Sequence, residues 1–275
     1  MNQSRIIFEE ETTPFFQLAH PSGLLDSVVA YYFEINYAAA DAQPLLMRGL
    51  PNLTGLISVN LNGTAWHSRN EFTDKRSLVS GSNVFGCVTQ SVESTYGVGT
   101  HEFYIKLKPG TLHRLTGLPA HALENHFTNL SDVFKLPGFD DSVRHVRTFR
   151  ARVALAEKTF LPFLTTTQAD WRYTIVQRAT ACFETATVIN DRHLYSLCRE
   201  LGVSYTSLHR YFIETVGYSP KYCQQVTRLK RALKGYKMQG SSFAFEDIGY
   251  TDFSHFAREC KQFTRQKPSA LSGSN

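Results

Sequence analysis

The stretch Leu194–Pro220, LYSLCRELGVSYTSLHRYFIETVGYSP, constrains the fold more than any other part of the chain. Leu194, Leu197, Cys198 and Leu201 follow the i, i+3, i+4, i+7 spacing of one face of an amphipathic helix. Gly202 stands where a left-handed residue ends a helix. Val203 is a buried hinge position, and Ser204 is a good N-cap for a second helix. Leu208, Tyr211 and Phe212 give that second helix its inner stripe, and Gly217 ends it. Two short helices joined through a glycine turn make a helix-turn-helix. Tyr205, Thr206, His209 and Arg210 fall on the outward face of the second helix. These are donors, acceptors and a flat aromatic, not the Glu/Lys mixture of an idle solvated face. A plain αα-hairpin has the same spacing, so this stretch alone does not decide between the two.

The pattern returns 48 residues later: Leu208 corresponds to Phe256, Arg210 to Arg258, Phe212 to Cys260 and Pro220 to Pro268. The second copy reads IGYTDFSHFARECKQFTRQKPSAL, with Gly249 and Tyr250 in the turn. A hydrophobic core has no reason to demand the same arginine twice, whereas a second reading head has. Two such units can place two helices in successive major-groove faces of one duplex, about 34 Å apart.

At this point the sequence resembles the AraC/XylS family of bacterial transcription regulators. The residues that carry the resemblance are the S-x-x-x-L-x-R-x-F run Ser204–Phe212, the G-x-S-P-x-Y run Gly217–Tyr222, the R-L-x-x-A run Arg228–Ala232 and the G-Y-T-D-x-S-H-F-x-R run Gly249–Arg258. The resemblance implies an all-helical module with two helix-turn-helix units on one connecting helix. It implies base contacts at Thr206, His209 and Arg210 in the first unit, beside Tyr205. In the second unit it implies contacts at Phe253, Ser254, Ala257 and Arg258, with Lys261 anchoring that unit on the duplex. It also implies double-stranded DNA as the partner, with a small-molecule effector, a second copy of the chain and RNA polymerase as further candidates. Three departures stand out. The segment between Arg228 and Gly249 is shorter than is usual in the family, SSFAFED lacks the usual isoleucine–alanine pair, and Arg265 stands where the family generally has glycine. Phe253 and Ala257 are poor hydrogen-bonders, so the expectation is that the first unit reads bases while the second grips backbone.

The charge distribution agrees. Residues 171–275 hold 15 Lys and Arg against 8 Asp and Glu, whereas residues 1–170 hold 14 against 16. The positive charge therefore sits with the helix-turn-helix units, where counterion release from DNA uses it. The expected division is a β-rich domain over residues 1–164, a linker over 165–170 (TTTQAD) and the DNA-binding domain over 171–275. The fold class is α+β.

Ser27–Ile35, Leu56–Leu61 and Glu102–Lys108 read as strands, separated by turn signals at Asn62–Thr64, Gly81–Asn83 and Tyr96–Thr100. Short strands with frequent turns suggest a sandwich or barrel. The run Phe103–Phe134 resembles the cupin-like, effector-sensing half of one group of AraC-type regulators. That resemblance ends the last barrel strand at Pro109–Gly110 and places a helix near Pro119–His126. Tyr31, Phe33, Trp66, Phe103 and Ile105 could line a ligand space, but such residues are more often plain core. No ligand-binding residue is assigned. A metal cupin needs an H-x-H pair, a glutamate and a later histidine. His101 has no such partner, His67 is isolated, and His113, His121 and His126 share no helix face. No metal or cofactor is expected.

Asp141–Phe160 reads as one helix with a Val143, Val146, Phe149, Val153, Phe160 stripe opposite Arg144, Arg147, Arg150 and Arg152, and is a candidate dimer contact. Trp171–Thr187 is a helix that props the first unit. Ser219–Met238 is the connector, with a lysine stripe at Lys230, Lys234 and Lys237 that is either solvated or set against phosphate. The five cysteines, Cys87, Cys182, Cys198, Cys223 and Cys260, have no paired spacing, so no disulfide is expected. No run reaches the ~20 apolar residues of a membrane helix, and MNQSRIIFEEETTPFF has no apolar signal core, so the expected location is cytoplasmic. The competing functions are a cupin-type enzyme with a helical appendage and an interaction module that has lost DNA binding. No metal triad, nucleophile elbow or G-x-G-x-x-G loop supports the enzyme. A methyl-acceptor reading fails on Cys87, which has no basic neighbour in sequence.

Overall fold

The protein is described by a computed structural model over residues 13–38, 43–166 and 170–271. Ten strands lead the described chain: β1 (Phe16–Ala19), β2 (Val29–Tyr37), β3 (Leu45–Gly49), β4 (Leu56–Asn60), β5 (Trp66–Asn70), β6 (Arg76–Val79), β7 (Asn83–Phe85), β8 (Val92–Tyr96), β9 (Thr100–Leu107) and β10 (Phe127–Asn129). They form two antiparallel sheets, β1-β2-β9-β4-β7-β10 and β3-β8-β5-β6. The sheets pack as a sandwich and do not close into a barrel. Their shared core holds Ile35, Leu45, Trp66, Val79, Tyr96 and Tyr104.

The period-2 alternation of β9 decides which side chain goes where. Phe103, Ile105 and Leu107 point away from the four-stranded sheet and join Phe134, Phe139, Val143 and Phe160 in a second core. Glu102 and Tyr104 point between the sheets, where Phe33 stacks on Tyr104 with centroids 4.4 Å apart. The five candidate wall residues therefore do not share one space. Tyr31, Phe33 and Trp66 face inward, while Phe103 and Ile105 face the helices.

Those helices are α1 (Thr111–Thr116), α2 (Leu130–Val133), α3 (Phe139–His145) and α4 (Phe149–Thr166). Two expectations are corrected here. The helix after β9 is α1, stopped by Gly117, and Pro119–Asn125 is a succession of turns. The single helix over Asp141–Phe160 is two, because Val146 is extended (ψ 130°) and re-aims the chain between α3 and α4. The break turns Arg152 inward. It is buried and donates to Glu34 Oε2 at 2.8 Å, while His101 Nε2 lies 2.8 Å from Glu34 Oε1. An arginine assigned to the outer face is thus the partner of a buried carboxylate.

The remaining elements are α5 (Trp171–Thr185), α6 (Asp191–Glu200), α7 (Tyr205–Thr215), α8 (Pro220–Gln239), a 3-10 turn at Phe245–Ile248, α9 (Phe253–Thr264) and α10 (Pro268–Leu271). They enclose a third core around Phe183, Leu197, Leu208, Phe212, Leu229 and Phe256. Of the expected linker, Thr165 and Thr166 belong to α4, residues 167–169 lie outside the described residues, and Asp170 caps α5 by accepting from Arg172 N at 2.9 Å.

The two halves touch at several points. Tyr173 of α5 donates to Ser27 O (2.9 Å), and its hydroxyl lies 2.8 Å from Thr111 Oγ1. Gln177 donates to Pro109 O, and Tyr222 at the start of α8 donates to Thr89 O at 3.3 Å. Leu53 of the β half is part of the helical core. The five cysteines are unpaired. No described helix is long and apolar enough to cross a membrane.

Candidate nucleic-acid interface

Each unit is built by local rules. Asn190 caps α6 by accepting from His193 N at 3.0 Å. Gly202 takes the left-handed conformation (φ +67°), which needs no Cβ penalty only in glycine. Ser204 then caps α7, its Oγ accepting from Ser207 N at 3.0 Å. In the second unit the first helix shrinks to the 3-10 turn Phe245–Ile248. Gly249 (φ +95°) makes the turn, and Asp252 caps α9 by accepting from His255 N at 2.7 Å. Pro220 sits in the first turn of α8, and Ser219 caps it through Tyr222 N at 3.1 Å.

At about 100° per residue, Leu208, Tyr211, Phe212 and Thr215 make one buried face of α7, and Phe256, Glu259, Cys260 and Phe263 make the same face of α9. The opposite stripe carries Thr206, Arg210 and Ile213 on α7, and Ser254, Arg258 and Lys261 on α9, all exposed. His209 is exposed beside the first stripe. Arg210 has its side chain 65% exposed, 4.0 Å from Glu214, which in turn holds Arg172 at 2.8 Å. Arg210 also lies over the Tyr211 ring at 5.4 Å. Neither stripe arginine is sealed in the interior.

Three of the expected contact residues are placed differently from the rest. Tyr205 and Phe253 occupy the same edge position at the first residue of their helices. Tyr205 is half-buried, its ring 5.8 Å from Tyr195 and 6.1 Å from His209. Phe253 packs on Phe245, Tyr236 and Phe256 with centroids 5.4, 5.7 and 6.0 Å away. Ala257 is half-buried beside it. The structure brings Ser254, Arg258 and Lys261 into one row and leaves Phe253 as the lid of an aromatic cluster. The lysine stripe of α8 is half-buried.

Two residues at this surface escaped the sequence reading. Ile213 is 44% exposed, and its signal was the 48-residue repeat, which pairs it with Lys261. Tyr195 is 61% exposed on α6, and nothing in its spacing marks it.

Behind the second unit lies a buried ion pair. Arg228 Nη2 is 2.5 Å from Glu259 Oε2, and Tyr250 donates to Glu259 Oε1 at 2.5 Å. The Arg228 guanidinium lies 4.5 Å over the Tyr250 ring. Burial raises the Tyr250 hydroxyl well above the usual phenol range, so it stays a donor. The R-L-x-x-A arginine is therefore a structural tie between α8 and α9. Among the described residues no group of three or more His, Cys, Asp or Glu is placed to hold a metal ion.

Residues 197–273 match a family model described as a helix-turn-helix domain. The carboxy-terminal part of the chain therefore carries a helix-turn-helix domain. A search of curated proteins found no match. Among solved structures, the chain is similar to ToxT from Vibrio cholerae at 12% identity, covering 94% of this chain and 99% of that one, with a TM-score of 0.45. A second is unsaturated fatty acid-bound wild-type ToxT, at 10% identity, 94% and 95% coverage and a TM-score of 0.43. A third is the AraC-like transcriptional activator CuxR, at 13% identity, 81% and 87% coverage and a TM-score of 0.24. Likeness at these scores carries no argument about function.

Proposed function

We propose that the protein is a sequence-specific DNA-binding transcription regulator whose β-rich amino-terminal half senses a small molecule. The observation that carries the reading is the pair of equivalent stripes, Thr206/Arg210/Ile213 and Ser254/Arg258/Lys261, each behind a left-handed glycine turn and on the basic half of the chain. Residues 171–275 are the reader and residues up to 164 the sensor. Arg210 is the principal base reader, with Thr206 and His209 beside it. An arginine bidentate to guanine gives about 1–3 kcal/mol of discrimination. Ser254, Arg258 and Lys261 hold the second unit on the duplex, and Tyr205 and Phe253 brace the first turns of the two helices. Double-stranded DNA is the partner, and no catalytic role is assigned.

The sensing role is supported by polar atoms buried between the sheets. Ser58 Oγ has no hydrogen-bond partner, and beside it the Glu102 carboxyl is held by Asn60 at 2.7 Å and faces the Trp66 indole. Burial pushes the Glu102 carboxyl up to about 8. Leaving a buried hydroxyl unpaired costs about 1–3 kcal/mol, a cost that a hydrogen-bonding guest would recover. The test is a fluorescence-polarisation titration of the full chain on random duplex at two salt concentrations. Binding that weakens steeply with salt is expected. Salt-independent or absent binding would return the chain to the interaction-module reading.

A further inference from the structure

Three described residues other than glycine have positive φ: Asp74 (57°), Asn125 (54°) and Arg265 (55°). Aspartate and asparagine tolerate the left-handed region through local side-chain hydrogen bonds. Arginine has no such excuse, and a glycine at the C-cap of α9 would remove the strain. What distinguishes Arg265 is the contact its side chain makes. The guanidinium lies 4.6 Å from the centroid of Phe72, in the turn between β5 and β6. That turn is stiff, because Asn70 Oδ1 accepts from both Phe72 N (2.8 Å) and Thr73 N (3.0 Å).

The neighbouring residue is gripped as well. Ser91 Oγ is 3.2 Å from Thr264 O, the last carbonyl of α9, and 2.6 Å from Glu71 Oε2. Glu71 is bound in turn by Arg48, whose Nε and Nη2 donate to it at 2.9 and 2.7 Å. Ser91 has one hydroxyl proton and donates it either to Glu71 or to Thr264 O, so the hold of the Glu71–Phe72 step on the end of α9 comes chiefly from the cation on the aromatic face.

We propose that Arg265 is a positioning residue: it fixes the second reading helix on the β half by docking on Phe72, and its left-handed backbone is retained for that docking. This rests on the DNA-binding reading for its consequence, but the docking itself does not. In the first unit the repeat pairs Arg265 with Gly217, which is also left-handed (φ +88°) and lies so close to the β half that a Cβ there would be 3.4 Å from the backbone of Ala120 and His121. Both reading helices therefore end against the β half, the first through a bare backbone and the second through the Arg265 side chain.

The experiment is hydrogen exchange on the full chain for wild type, Arg265→Gly, Arg265→Lys, Phe72→Leu and the Arg265→Gly/Phe72→Leu double variant. Glycine relieves the backbone strain, so a residue that only caps the helix should slow exchange around Thr264–Gln266. A docking residue should speed it, together with exchange in Glu71–Thr73, while the unfolding midpoint holds or rises. Lysine keeps the strain and the charge and should lie between. The double variant should be no worse than either single one. Slower or unchanged exchange in Arg265→Gly, or additive effects in the double variant, would overturn the proposal. A second arm uses duplex selected from a random pool by the wild-type chain. Arg265→Gly should weaken binding to that duplex about equally for all sequences and leave the base preference read by α7 unchanged, and unweakened binding or a loss of that preference would also overturn it. If the wild-type chain selects no duplex, the DNA-binding reading fails, and the exchange arm still decides the docking.

Discussion

The two helix-turn-helix units share a reading stripe but are supported in different ways. The first keeps both of its helices, fills its inner face with Leu208, Tyr211 and Phe212, all buried, and closes on the β half where Thr215 and Gly217 meet Gly110 and Ala120. The second has lost most of its leading helix. Its reading helix is held by an aromatic cluster at Phe245, by the buried Arg228–Glu259–Tyr250 network and by the β half at Thr264 and Arg265. A degraded copy can keep its reading geometry when tertiary contacts replace local ones.

The largest expected effect is at the position where the copies differ most. Glu259→Ala removes the carboxylate that pairs the part-buried Arg228 and accepts from Tyr250, and should cost about 1.5–3 kcal/mol, whereas Tyr211→Phe at the equivalent place in the first unit should cost under about 1 kcal/mol. Urea denaturation of both variants checks this, and similar costs would break the comparison. Next come the turn glycines. Gly202→Ala adds only the left-handed penalty of about 1–2 kcal/mol, because its Cβ would enter open space. Gly249→Ala adds a clash, since its Cβ would lie 2.5 Å from Ile189 O. The second should lower the melting temperature clearly more than the first.

The N-caps should cost alike, about 1 kcal/mol for Ser204→Ala and for Asp252→Ala, by thermal denaturation. A much larger cost at Asp252 would sharpen the picture of a marginal second unit. The smallest effect on either unit comes from the β half. The folded pKa of Glu102, about 8, lies above its usual 4.5 because of burial. The native state therefore binds the extra proton, and stability should fall as pH rises between these values. Glu102→Gln should flatten that slope in denaturant titrations at pH 5 and pH 8 and leave both units unchanged.

Much of the reader was legible in the sequence, because its signals are local. Ser204, Gly202, Ser219–Pro220, Gly249 and Asp252 are caps and turns that act on their own neighbours. The inner stripes needed only the helical period. The alternation of β9 was equally plain, but which face meets the helices depends on where α3 and α4 land. Phe103 and Ile105 are accordingly core residues on the helix side, the commoner of the two readings their sequence allowed. Arg152 was read as outward because the break at Val146 has no proline or glycine to announce it, and its partner Glu34 lies on a distant strand. Phe253 was named as a contact by the family resemblance; it is 45% exposed, and its packing on Phe245 and Tyr236 was not legible in the sequence. The docking of Arg265 could not be read at all, although its departure from glycine was visible.

The central claim is that α7 reads bases while α9, positioned by the β half, chiefly grips the duplex. Selection of duplex from a random pool by the wild-type chain, Arg210→Ala and Arg258→Ala tests it most directly. The account predicts that Arg210→Ala erases preference at one or two positions, about 1–3 kcal/mol each, while Arg258→Ala weakens binding nearly uniformly and lowers the salt slope by about one. Equal loss of sequence preference in the two variants, or no loss in either, would contradict it.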